Sequence, residues 1–335
     1  MTGGGAAFAR LCGLALGALA ATTALAEDFY RGKTITMIVG FAPGGGIDTS
    51  ARILARHITR FIPGAPNIVV QTIEGAAGVV AANYLEKRAA PDGLTIAVPG
   101  RSWFLEPLLK NPNAQFDPVK LSYVGSTGTM NSLLWVEPKS GLRSVMDFAG
   151  KPEPVVFGAL GGGTPTAMVA AILAEAGVPL RLVSGYPGSS RLLLALQQGE
   201  VQAVFLTEDS FSLHKDLVEK KVVVPILQSR PVQPGLPLVG EIVPADLRPV
   251  LELSQSGETL GMMVVGPANV PVDRLDILRT AFMAMANDAD YRAEVAKFET
   301  TRTAPLDGAM VAKMMQELAT SATPTVVAAF NRLKH

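Results

Sequence analysis

The chain has 335 residues, with 29 basic residues balanced by 29 acidic ones and 48% apolar content. Near-zero net charge gives a nucleic-acid backbone nothing to neutralise, so a nucleic-acid partner is not expected. The length suits two domains, and a mean hydropathy of +0.31 suits sheets covered on both faces rather than a β-sandwich.

Residues 1–26 place Arg10 before an apolar stretch and end in Ala24-Leu25-Ala26. This is the layout of a cleavable export signal. The single cysteine, Cys12, falls within it, so the remainder is expected to carry no disulfide. No later apolar stretch reaches the 18 residues of a membrane-spanning helix.

Beyond the signal, apolar β-branched runs predict strands at 35–39, 68–73, 95–98, 133–136, 155–157, 181–184, 203–206, 222–227 and 261–265. Near-continuous apolar runs point to parallel sheets. Ile47, Ala51, Leu54, Ile58 and Phe61 recur at helical spacing after the first strand. Thr164-Pro165 starts a second helix with a hydroxyl cap and proline at its first position, and Gly177 stops it. A helix over 189–198 ends at Gly199. Leu275, Leu278, Phe282 and Met285 mark a further helix, and Met310, Met314 and Leu318 another, with their methionines expected in the core. Alternating strands and helices predict an α/β class.

Two strand–glycine–helix units stand out. The first joins ITMIVG to a helix through Phe41-Ala42-Pro43-Gly44-Gly45-Gly46-Ile47-Asp48; the second runs from Gly158 through Ala159, Leu160, Gly161, Gly162 and Gly163 to Thr164. Bare glycine N–H groups ahead of a helix N-terminus suit an anion. Neither unit ends in Gly-Lys-Ser/Thr, and neither fits G-x-G-x-x-G, so nucleotide loops are excluded. Asp48 either offsets the helix dipole, orients its loop or receives a ligand amine. Thr164 caps its helix, offers its hydroxyl to a ligand, or does both.

Gly75-Ala76-Ala77-Gly78 also follows a strand and permits close backbone approach. Arg101 follows the strand at 95–98 and is the best-placed cation for a carboxylate. Tyr186 and the Glu208-Asp209 pair follow strands of the second half, as cleft wall and amine receptor or as core and solvated residues. No metal-ligand cluster or catalytic set is legible, so neither cofactor nor metal is expected. The candidate ligand-binding set is thus Phe41, Ala42, Gly44, Gly45, Gly46, Asp48, Gly75, Ala76, Arg101, Ala159, Gly161, Gly162, Gly163, Thr164, Tyr186 and Asp209.

In order, Tyr30-x-x-Lys33-x-Ile35-x-x-Ile38-Val39-x-Phe41-x-Pro43-Gly-Gly-Gly-x-Asp48, Gly75-Ala76-x-Gly78, Ala90-Pro91-Asp92-Gly93-x-Thr95, Phe116-Asp117-Pro118, Tyr186-x-Gly188 and Gly199-Glu200-Val201-x-Ala203 resemble the Bug family. These are the periplasmic solute-binding proteins of tripartite tricarboxylate transporters. The resemblance implies a type II periplasmic binding protein: two α/β lobes, two crossing strands and a ligand cleft. It implies a carboxylate held partly through water by the 41–48 and 159–166 loops. It implies a monomer that passes its ligand to membrane transporter subunits and performs no chemistry. Lobe one is expected over 27–130 plus 259–335, lobe two over 131–258. Where family members carry a histidine in the second loop, this chain has Ala167, and Thr72-Ile73-Glu74 replaces an Asn-Arg-Pro. The rival readings are an exported ligand sensor and an exported hydrolase using Ser212 or Asp209.

Overall fold

The computed structural model describes residues 29–44, 46–161, 163–186, 188–211, 214–297 and 304–334. The export signal, Gly45, Gly162 and Ser212 lie outside them, as does the side chain of Asp209. In chain order the elements are β1 (Thr34–Val39), α1 (Gly46–Ile58), β2 (Asn67–Thr72), α2 (Val79–Arg88), β3 (Thr95–Val98), α3 (Leu105–Leu108), β4 (Ser122–Ser126) and β5 (Ser132–Val136). There follow β6 (Val155–Gly158), α4 (Pro165–Glu175), β7 (Leu180–Val183), α5 (Ser189–Gln197), β8 (Ala203–Thr207), α6 (Lys215–Glu219) and β9 (Val224–Gln228). The last are α7 (Val239–Ile242), α8 (Arg248–Leu260), β10 (Met263–Gly266), α9 (Val272–Asn287), α10 (Ala289–Val295), β11 (Leu306–Asp307), α11 (Gly308–Ser321) and α12 (Pro324–Leu333).

Among the described residues the strands form two sheets, ordered β11-β4-β10-β3-β1-β2 and β7-β6-β8-β5-β9. In the first, β1 pairs in parallel with β2 and β3, while β10 runs antiparallel to β3 and β4. In the second, β6 pairs in parallel with β7 and β8, while β5 runs antiparallel to β8 and β9. The sheets are mixed, which corrects the expectation of parallel ones. Each lobe's sheet receives a strand from a chain arriving from the other lobe, and that strand enters reversed. Apolar runs report burial on both faces, not direction.

Every predicted strand is present to within two residues at its ends. Two strands escape the pattern. β11 has two residues, too few to carry a period. β4, SYVGS, is buried along its whole length but carries two serines and a glycine. Gly125 is required by packing: a Cβ there would fall 2.3 Å from Cδ1 of Phe282. That ring belongs to α9 and is fully buried against Val124, Val264 and Leu278.

The helix caps follow the sequence. Thr164 is the N-cap of α4, its Oγ1 accepting from the Ala167 N–H, and Pro165 takes the first turn. Gly177 sits past the end of α4 at φ +88°. The methionine stripe of α11 is a correction. Val311 and Met315 face the core of that helix, while Met310 is 46% exposed.

Gly125→Ala is expected to cost about 1–3 kcal/mol, the range for overpacking a filled core. Urea unfolding of the purified variant measures this, and an unchanged midpoint would show that the Phe282 ring yields without cost.

Candidate functional site

Parallel strands end on the same edge of a sheet. The C-terminal ends of β1, β2 and β3 therefore bring the loops at 40–46, 73–78 and 99–102 together. Their contact is direct. The Pro99 carbonyl lies where a Cβ on Gly78 would fall, at 1.9 Å, and Gly78 also holds φ +98°. The Phe41 ring packs on Gly100, whose Cβ would lie 2.5 Å from Cε2. Gly75 and Ala76 enter the same cluster at positive φ.

Asp48 is almost fully buried and organises the first glycine loop. Its Oδ2 accepts from the Gly44 N–H at 2.9 Å and from Arg52 Nε at 2.9 Å. The Arg52 hydrogen bond, with the Gly44 N–H helping, holds the carboxyl below the usual carboxylate range against the effect of burial. Of the readings open for Asp48, loop orientation is the one realised in these contacts. Oδ1 is buried and has no protein partner.

β6, β7 and β8 end together on one edge of the second sheet. The loops after them carry Ala159, Gly161, Gly163 and Thr164, then Tyr186, then Glu208 and Asp209. The Ala159 N–H continues the ladder to Val183 O at 2.9 Å, so it is spent on the sheet. Thr164 Oγ1 donates to Gly161 O at 2.6 Å while capping α4, so its hydroxyl shapes the loop. Tyr186 donates to Glu200 Oε1 at 2.6 Å, and burial followed by that carboxylate pushes the phenol up to about 12. Its ring lines a groove with Arg191 and Glu200 beside α5. Tyr186 thus ties two parts of lobe two together: its backbone N–H donates to Ala159 O at 3.4 Å in the second glycine loop, while its hydroxyl goes to Glu200 on the flank.

The two edges are joined by two crossings. The chain leaves the C-terminal end of β4, passes 127–131 and enters β5, whose Ser132 pairs with Thr207 at the C-terminal end of β8. It returns through the end of α8 into β10, whose Met263 pairs with Ser126. The glycine-loop edges of both sheets therefore flank the same crossings. The crossings are tied to each other: Thr127 N–H donates to Met262 O at 3.1 Å, Met130 N–H to Glu258 O at 2.9 Å, and Ser126 Oγ to Leu260 O.

Glu258 sits at the centre of this knot, buried. Ser132 Oγ donates to its Oε1 at 2.5 Å and Ser229 Oγ to its Oε2 at 3.3 Å. Burial pushes its carboxyl above the usual range, opposed by those hydroxyls and by the charges of Arg230 and Arg101. Arg101 reaches the hinge through this field, and its carbonyl lies against Gly257 of α8. The sequence reading singled out Arg101 but not the acid it faces.

Three more residues escaped the sequence reading. Thr127 and Asn131 are buried at the first crossing, with Thr127 Oγ1 and Asn131 Nδ2 lacking protein partners. Lys334, just past α12, lays its stem over the second glycine loop; Cε is 2.9 Å from where a Gly163 Cβ would be. No local motif marks these residues, because they reach the site only through tertiary packing. Among the described residues no cluster of His, Cys, Asp and Glu is arranged to hold a metal, and no helix is long and apolar enough to cross a membrane.

Two α/β lobes, two crossings and facing loop edges define a periplasmic binding protein fold. The chain belongs to a particular family of that class: residues 51–322 match the tripartite tricarboxylate transporter family receptor. It is 29% identical over 245 residues to the UPF0065 protein of the tcbD-tcbE intergenic region of Pseudomonas sp. (strain P51), covering 69% of this chain and 70% of that one. It is 41% identical to BugT of Bordetella pertussis over 78 residues, 23% of each chain. Among solved structures it resembles a TctC solute-binding protein from Polaromonas, with TM-score 0.68, 15% identity and coverage of 91% and 98%. It also resembles MatC of Rhodopseudomonas palustris with bound malate, with TM-score 0.60, 20% identity and coverage of 88% and 99%. These families and neighbours are binding proteins of transport systems, not enzymes.

The buried acid gives a pH prediction. Below about pH 4 Glu258 is protonated whether the chain is folded or not. As pH rises, the unfolded chain ionises first and the folded one later, so Glu258 loses its stabilising contribution as pH climbs through its raised folded value. The unfolding free energy of wild type minus that of Glu258→Gln should fall as pH rises above about 4. A difference that stays flat across a urea-unfolding series would show that Glu258 titrates normally in the fold.

Proposed function

We propose that this protein captures a small carboxylate between the 40–46 and 159–164 loops and presents it to a membrane transporter. The observation that carries this reading is the placement of two glycine loops, each opening a helix, on sheet edges that flank the same two crossings. Each helix start favours an anion by about 0.3–1 kcal/mol when exposed and up to about 2 when partly buried. Charge-assisted hydrogen bonds from backbone N–H groups add to this. Lys334 supplies a side-chain cation beside the second loop. The relation to MatC with bound malate, and to a Rhodopseudomonas palustris protein with adipate, supports a carboxylate as the ligand class. We take residues 1–26 as an export signal, 27–130 plus 259–335 as lobe one and 131–258 as lobe two, closing about the crossings as a monomer in the periplasm.

Backbone donors are best tested by steric intrusion. Gly46 and Gly161 have ordinary φ values, and a Cβ at either meets nothing within 4 Å. A branched side chain there enters open space without straining the fold. Isothermal titration of malate and adipate should show saturable binding by wild type. Gly46→Val and Gly161→Val should each weaken it at least tenfold, about 1.4 kcal/mol, with unchanged unfolding midpoints. Wild-type affinity in both folded variants would sink the two-loop clamp.

A further inference from the structure

The glycine loops lie to one side of the crossings. In the first sheet β1 and β2 are on that side, and β4 and β11 lie at the opposite end. In the second, β6 and β7 are on that side, and β9 lies at the opposite end. The residues after β9 and the helix after β11 therefore meet on the far side of the hinge from the cleft.

A groove of about 490 Å³ opens there, between α8 and α11. α8 presents Glu252 and Gln255 to it, and α11 presents Met314, Glu317 and Leu318. With Ser256 and Thr259 added to the α8 set, each repeats at three and four residues, so each is one helix face. Arg230, two residues past β9, closes the end of the groove.

Its polar groups are not balanced within the protein. Gln255 is 8% exposed, yet its Nε2 is buried without a hydrogen-bond partner. The Nε of Arg230 is likewise buried and unpartnered, while its Nη2 donates to Thr259 Oγ1 and fixes the guanidinium against α8. Buried donors are normally paired, and leaving one unmade is costly. Met314 and Leu318 are only half-buried on a helix whose core face is Val311 and Met315. Carboxylates at Glu252 and Glu317 stand at the exposed rim, with Lys313 Nζ 3.8 Å from Glu317 Oε1.

We propose that this groove is a second ligand site, separate from the cleft, for a small zwitterion with an apolar body, such as an aliphatic amino acid. Its carboxylate meets the Arg230 guanidinium and, as that side chain turns outward, the Gln255 amide. Its ammonium faces Glu252 and Glu317, and its side chain covers Met314 and Leu318. The volume falls within the range of small-molecule sites. Arg230 is carried by the second sheet, whereas α11 packs on β4 and β11 of the first. A ligand touching both spans the lobes behind the hinge. Its affinity is then linked to lobe closure, and any such coupling is reciprocal with the cleft ligand.

The test is calorimetric titration of L-leucine into the full mature chain. Two truncated probes accompany it, 4-methylpentanoate without the ammonium and 3-methylbutylamine without the carboxylate. Leucine should bind saturably, and each truncated probe at least tenfold more weakly. Met314→Trp fills the groove from a half-exposed position and should abolish leucine binding. Glu317→Lys, at the exposed rim, should weaken it at least threefold. Gly46→Val, in the cleft, should leave leucine binding measured without malate unchanged. Absence of saturable leucine binding, equal affinity for either truncated probe, or loss in Gly46→Val with retention in Met314→Trp would each overturn the assignment.

Discussion

A carboxylate buried without a dedicated ion-pair partner at hydrogen-bond distance is what the rest of this structure is arranged around. Glu258 lies in the last turn of α8 and accepts from Ser132 at the start of β5 and from Ser229 just past β9. The charges of Arg230 and Arg101 offset part of the desolvation cost. Taking such a group out of water is expensive, and its polar neighbours must be held in place to compensate. The acid therefore fixes the positions of both crossings and of the end of β9 at once. Asn131 joins the same set, its Oδ1 accepting from the Arg230 N–H and sharing the single Ser229 hydroxyl proton with Glu258. An apolar residue would pack this site at lower cost, but would not bind three separate chain segments in one geometry.

With the crossings fixed, both glycine-loop edges flank the same pair of links. In the proposed clamp the ligand-facing parts are loops of glycine and alanine. Once the edges are aimed, backbone N–H groups suffice, and small residues let them approach. The tightness is visible at Gly78, Pro99 and Gly100, where backbone meets backbone or the Phe41 ring with no room for a Cβ. Asp48 and Thr164 then act inward, on their own loops. The Asp48 carboxylate and the Thr164 hydroxyl are fasteners within their own loops.

How much of this was legible in the sequence follows from the range of each interaction. The strands at 95–98 and 203–206, the cap at Thr164 and the stop at Gly177 rest on neighbours within a few residues, and periodicity reports them. β4 was lost because its packing against Phe282 demands glycine and serine where a strand signal demands branched apolar residues. That Tyr186 follows a strand is legible, and its N–H does reach Ala159 O, but the Glu200 partner of its hydroxyl is not, because the position of Glu200 depends on how α5 packs. Glu258 was passed over for a simple reason. A lone Glu in an amphipathic helix reads as a solvated face until the fold brings Ser132 and Ser229 to it across 126 and 29 residues.

The proposed backbone clamp also limits what it can distinguish. Helix starts and amide N–H groups recognise a negative oxygen and say little about what is attached to it. In that proposal, discrimination among carboxylates comes from side chains at the margins of the cleft. Ala167, at the position where family members carry a histidine, is 4% exposed and packed within α4, so it can offer a ligand no polar contact. Lys334 reaches the same loop from the opposite end of the chain. A side chain on such a flexible stem follows carboxylates of different length more readily than it selects among them.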